Sequence, residues 1–244
     1  MTDFQKGKSH KFRRQGELKS KSKNMKIFQF DCLESDKIDL RQANAVLRYK
    51  PTLIFFESPG PAESTFNKCK PKEKPIQEFN ELIQKLKKAG KEYPWVKSDV
   101  HTFNNIKKLW DEGHDVKLYP IDGPSELLRV DLKKFSKAGK AQPERRGTHF
   151  AWWVRIYLRE KIMTQSVRKI LQGVEEGSNE KVLAFVQKFH WKNVQFQLTN
   201  PTKEEMYIYY FGAFKDINPQ SIGMKVKDTN PILYKYWKKY SDFK

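Results

Sequence analysis

Four acidic or imidazole side chains stand just beyond runs of strand-forming residues in this chain. Asp31 follows KIFQF, Glu57 closes TLIFFE, Asp122 follows VKLYPI, and His190 lies shortly past KVLAFVQ. If those strands lie parallel in one sheet, their carboxyl ends share an edge, and that edge is where open α/β sheets bind ligands. Two aspartates, a glutamate and a histidine gathered there could hold a divalent cation such as Mn²⁺, Co²⁺ or Zn²⁺, or divide general acid and base work. Glu57 carries most weight: a run of strand residues leads into it and Ser58-Pro59-Gly60-Pro61 stiffens the chain behind it. A plainer account stands beside this one. Asp31 can cap a following helix, Asp122-Gly123 is ordinary turn chemistry, and His190, between Phe189 and Trp191, reads equally well as a core histidine.

Positioning such a set needs a regular frame. The stretch MKIFQFDCL, with Ile27, Phe28 and Phe30, predicts a first strand; DKIDLRQANAVLRY predicts a helix with Ile38, Ala45, Val46 and Tyr49 on one side. TLIFFE is the second strand. After a loop at 71–75, IQEFNELIQKLKKAG predicts an amphipathic helix stopped by Gly90. HTFNNIKKLWDEG is a helix capped by Gly113, residues 116–121 a third strand, Gly123-Pro124 a turn and SELLRVDLKKF a further helix. A polar connector at 139–147 leads to a long helix ending at Gly173, and KVLAFVQ is the fourth strand; the C-terminal TKEEMYIYYFGAF and PILYKYWKKYSDF predict short helices. Strand and helix alternating in this way predict an α/β fold: a largely parallel sheet with helices on both faces. Residues 1–24 predict a disordered basic tail, and 25–244 one α/β domain, with Met25 a possible alternative start.

On these residues the chain resembles the superfamily that includes TraB, TIKI and erythromycin-esterase-like proteins. The likeness runs over roughly residues 25–198 and is carried by Lys50-Pro51 with Glu57, Asp122 with Arg129, Arg159-Glu160 with Met163, and His190 after Val186. It implies an α/β fold around a cleft lined by Glu57, Arg159, Glu160 and His190. It further implies metal-dependent hydrolysis of an amide or ester bond in a peptide or small-molecule substrate, with Glu57, Arg159 and His190 catalytic. The family's two Gly-x-x-His motifs are altered here, with Phe30 and Gln187 in place of the glycines and Leu33 in place of the first histidine. On this reading the metal set is Asp31, Glu57, Glu160 and His190, with Asp31 or Glu34 supplying oxygen where an imidazole is lost and shifting preference towards Mn²⁺ or Mg²⁺. A descendant that binds without catalysing is the other outcome of the same resemblance. Along the helix, Ile156, Met163 and Val167 form the inner face, and Arg155 is expected on the outer one.

Charge supplies a rival account. The 48 Lys and Arg against 29 Asp and Glu leave +19, and the tail holds only +6 of it. Such a field attracts nucleic acid, and aromatic residues beside the cations could stack on the bases of RNA or single-stranded DNA. The candidate surfaces are the tail, the segment around Arg145, Arg146, Trp152 and Trp153, and Tyr234, Tyr236, Trp237 and Tyr240 near the C-terminus. No RRM, KH, helix-turn-helix or zinc-finger pattern accompanies them. Phosphate-loop, nucleophile-elbow and His-Glu-x-x-His patterns are likewise missing. Cys32 and Cys69 fit no zinc or disulfide spacing, and no signal peptide or membrane span is legible, which predicts a cytoplasmic protein.

Overall fold

The computed structural model describes residues 26–30, 36–59, 100–130, 150–174 and 180–243. The basic tail, Asp31, Glu34, both cysteines, the helix expected before Gly90 and the connector at 139–147 lie outside those residues. Strands β1 (Lys26–Phe30), β2 (Leu53–Pro59), β3 (Lys117–Asp122) and β4 (Lys181–Phe185) form one sheet in the order β1-β4-β2-β3. Every pairing is parallel, with Ile27 opposite Val182, Leu53 opposite Val182 and Leu53 opposite Lys117. Pro120 has no N–H to give a ladder and sits on β3, at the edge of the sheet.

The two-residue period of the strands sorts their apolar side chains into two cores. Ile54, Phe56, Leu183 and Phe185 face helices α1 (Asp36–Tyr49) and α2 (Val100–Asp111), meeting Ala45, Val46, Ile106 and Leu109. Leu53, Phe55, Val182 and Ala184 face the opposite way, onto Met163 and Val167 of α4 (Phe150–Gln172) and Trp191 and Val194 of α5 (Lys188–Leu198). Between β3 and α4 stands the short α3 (Ser125–Leu128). The sheet is thus covered on both faces, which makes this an α/β fold.

A third core lies on the far side of α4. There Val154, Tyr157, Leu158 and Ile162 pack on α6 (Lys203–Phe211), α7 (Ile222–Thr229) and α8 (Pro231–Tyr240), around Phe211, Trp237 and Phe243. Helix α4 is therefore sandwiched between sheet and C-terminal helices, and polar side chains on it are drawn inside along with the apolar ones. Two helix starts are firmly capped. Thr202 and Glu205 form a capping box on α6, and the Asn230 side chain accepts from the N–H groups of Ile232 and Leu233 on α8. Among the described residues no helix is long and apolar enough to cross a membrane.

Candidate active site

Three chain segments deliver charged groups to the carboxyl edge of the sheet. In β2 the face alternates, so Glu57 takes the same side as Leu53 and Phe55, towards α4 and α5. The pairing of β2 with β3 slips at this point: three steps from Phe56 to Pro59 match two from Pro120 to Asp122. A bulge of this kind bends a strand end and re-aims its side chain. Asp122 ends β3, and its Oδ1 accepts the Gly123 N–H at 2.6 Å. A side-chain carbon on Gly123 would come within 3.0 Å of Leu127 and 3.8 Å of the Arg159 stem, so glycine leaves room for both.

Arg159, on α4, ties these groups together. Its Nε donates to Asp122 Oδ1 at 3.1 Å and its Nη2 to Asp122 Oδ2 at 2.5 Å; Nη2 also donates to Glu57 Oε1 at 3.0 Å. The Nη1 group lies 3.1 Å from His190 Nε2, in the first turn of α5. The second oxygen of Glu57 accepts the Gln187 backbone N–H at 2.7 Å. All are nearly enclosed: the side chains of Glu57, Asp122 and His190 are 6%, 2% and 4% exposed, and that of Arg159 is 14% exposed. Burial works against the Arg159 charge, but Asp122 and then Glu57 outweigh it and hold the guanidinium above its ordinary range.

The histidine has a defined tautomer. A guanidinium can only donate, so His190 Nε2 accepts from Arg159 and the ring proton belongs on Nδ1. Nδ1 then donates to Glu160 Oε1, 2.7 Å away. Burial first, then the charges of Arg159 and Arg155, push the imidazole down to about 3, so it is neutral near pH 7. The 3.7 Å approach of His190 Nε2 to Glu57 Oε1 is consequently not an ion pair. Glu160 is fully buried, and that burial pushes its carboxyl up. Hydrogen bonds from Tyr210 and Asn193 and the Arg159 charge pull in the other direction. Tyr209 donates in turn to Asn193 Oδ1, and Gln197 Nε2 donates to the Tyr210 oxygen at 2.9 Å.

The structure thus brings together Glu57, Asp122, Arg159, Glu160 and His190, while Asp31 lies outside the described residues. Arg155 differs from its expected outer position: it is half-buried, with Nη1 3.3 Å from the Leu128 carbonyl, because α4 is covered on two sides. Asn193, Gln197, Tyr209 and Tyr210 were not singled out in the sequence. The signal for the first two was present, since His190, Asn193 and Gln197 recur at helical spacing in KFHWKNVQFQL. The tyrosines come from α6 and carry no such mark.

Arg159 donates to Glu57 and lies against His190, two of the residues assigned to a metal from the sequence. In the arrangement described, the Arg159 guanidinium is bonded to the Glu57 and Asp122 carboxylates. No protein-family model, curated protein or solved structure matches this chain.

Proposed function

We propose that the chain is a hydrolase of ester or amide bonds acting at the carboxyl edge of β2, β3 and β4. The observation that supports this is the single guanidinium of Arg159 bonded at once to Glu57, Asp122 and His190, groups brought from three separate segments to the ligand-binding edge of an α/β sheet. In this reading Arg159 supplies the positive charge that stabilises a carbonyl oxygen as it becomes an oxyanion. His190 Nε2 accepts from Nη1, so its lone pair can take a proton only once that N–H turns to the oxyanion. That release frees His190 to act as a base when substrate is engaged. Water held by Glu57 then gives a proton to His190 Nε2 as its oxygen adds to the carbonyl carbon, and the imidazolium formed is steadied by Glu160 through Nδ1. The proton later passes to the leaving oxygen or nitrogen as its bond to the carbonyl carbon breaks. Asp122 and Glu160 are positioning residues, holding Arg159 and His190 from behind.

Because Arg159 stands between Glu57 and His190, no step here is assigned to a metal. The test is a turnover screen of the full chain against short-chain aryl esters, aryl amides and a peptide mixture, with and without chelator. Turnover that survives chelation is expected. Turnover abolished by chelation would put a divalent cation in the role given to Arg159, and none on any substrate would contradict hydrolysis. The nucleic-acid reading is weaker at the C-terminus, where Tyr236 and Trp237 are 8% and 2% exposed and belong to the core, so neither offers a face to a base.

A further inference from the structure

A polar cavity lies at the other end of the hydrogen-bond chain that starts at His190. It has a volume of about 230 Å³ and is lined by Lys161 and Arg168 of α4, Gln197 of α5, Asn200, Lys203 and Asp242, among others. That is below the roughly 300–1,000 Å³ of sites for drug-sized ligands, and suits a small ion with some water. Its charge is unbalanced. Lys161 pairs with Asp242, whereas Lys203 makes no ion pair with any described residue. Arg168 is fixed by two neutral acceptors, the Gln197 carbonyl at 2.7 Å and Asn200 Oδ1 at 3.0 Å. Both bonds use Nη2, which leaves the other guanidinium donors for a ligand. Asn200 holds its place in the left-handed region, at φ 57°, a conformation that asparagine tolerates better than most residues. The positive groups are therefore set in position.

Gln197 adds the chemical discrimination. The single hydrogen of the Tyr210 hydroxyl goes to Glu160 Oε2, so Gln197 must present its N–H to the tyrosine oxygen, and this fixes which way the amide points. Gln197 is 3% exposed, and its Oε1 is buried with no hydrogen-bond partner among the described residues. An unpaired buried acceptor is costly, so a ligand that enters the cavity lined by Gln197 and donates to that oxygen is favoured. The cavity therefore calls for an anion that keeps one hydrogen-bond donor. Hydrogenphosphate carries negative oxygens for Arg168 and Lys203 and a P–OH for Gln197, whereas sulfate at neutral pH carries no proton.

We propose that this cavity binds inorganic phosphate, and that its occupancy is felt at His190 through Gln197, Tyr210 and Glu160. The binding claim does not depend on the hydrolase reading, because it is measured directly. The experiment titrates the full chain with inorganic phosphate and with sulfate at matched ionic strength and neutral pH, by calorimetry and by imidazole ¹⁵N NMR. Lys203→Ala, at an exposed position and so tolerated by the fold, and Arg168→Gln are titrated in parallel. Saturable phosphate binding is expected, with sulfate and both variants weaker by about tenfold or more. The His190 ring resonances should move with saturation in the wild type. Equal response to phosphate and sulfate, or binding unchanged in both variants, would reduce the effect to the general attraction of a +19 chain and overturn the proposal. Absence of saturable binding would do the same. Saturable binding with immobile His190 resonances would refute the link to the active cluster.

Discussion

At the scale of single residues, the account turns on a neutral histidine held between a guanidinium and a carboxylate. His190 has its folded pKa pushed down to about 3, against an ordinary value near 6.5. Between those values the unfolded chain binds the proton and the folded chain does not. The stability that follows from a neutral His190 is thus present above about pH 6.5 and lost as pH falls towards 3. Glu160, shifted upwards, titrates with the opposite sense, so the histidine contribution is best isolated by comparison. Urea unfolding at intervals from pH 4 to 7 should show a steeper acid loss in the wild type than in His190→Gln. Equal slopes would mean that His190 is charged or free to titrate. Arg159 makes the second residue-scale prediction. Arg159→Met leaves Glu57 and Asp122 buried without their cation, and unfolding free energy should fall by about 3–5 kcal/mol at pH 7. The deficit should narrow on acidification, as the stranded carboxylates take up protons. A loss under about 1 kcal/mol would show that the carboxylates find other partners.

At the scale of elements, the site depends on how the strand ends are aimed and how the covering helices are locked. Glu57 faces α4 because it shares the parity of Leu53 and Phe55, and that much was legible in TLIFFE; the slipped pairing of β2 on β3 was not, since register with Pro120 is a property of the neighbouring strand. The cover on the other face is held by Asp39 of α1. Its carboxylate accepts the N–H groups of His101 and Thr102, each at 2.9 Å, and the Thr102 hydroxyl at 2.7 Å, so one helix caps the start of another. Asp39→Ala should lower stability by about 1–3 kcal/mol, read by chemical denaturation. Asp39→Asn, which keeps one acceptor oxygen, should recover part of that. Gly113 ends the turn after α2 with φ +85°, a backbone that an added Cβ strains although nothing lies within 4 Å of it. Gly113→Ala should therefore cost about 1 kcal/mol through conformation alone. Legibility followed the reach of each interaction. Helix α1 and the C-terminal helices could be read from local periodicity. The burial of Glu160 and Arg155 could not, because their partners are distant in sequence: His190, Asn193 and Tyr210 for Glu160, and the Leu128 carbonyl for Arg155.

At the scale of the whole molecule, a strongly basic chain encloses an acidic site. The +19 of the sequence contrasts with a buried cluster in which Arg159 is bonded to two carboxylates, Glu57 and Asp122. Long-range attraction would draw an anionic substrate to the surface, while the guanidinium of Arg159 meets the reacting group. Added salt should accordingly weaken capture of anionic substrates, raising KM, and leave kcat nearly unchanged; a fall in kcat alone would argue against this division. The central claim is that Glu57 and His190 perform chemistry and do not merely complete the packing around Arg159. It is tested most directly by kcat/KM of Glu57→Gln and His190→Gln on the best substrate from the turnover screen, with folding of each variant checked by thermal unfolding. The account predicts a fall of about 10²-fold or more in both folded variants. Values within about threefold of the wild type would contradict it, since neither the base nor the carboxylate that holds its water can be removed at so small a cost.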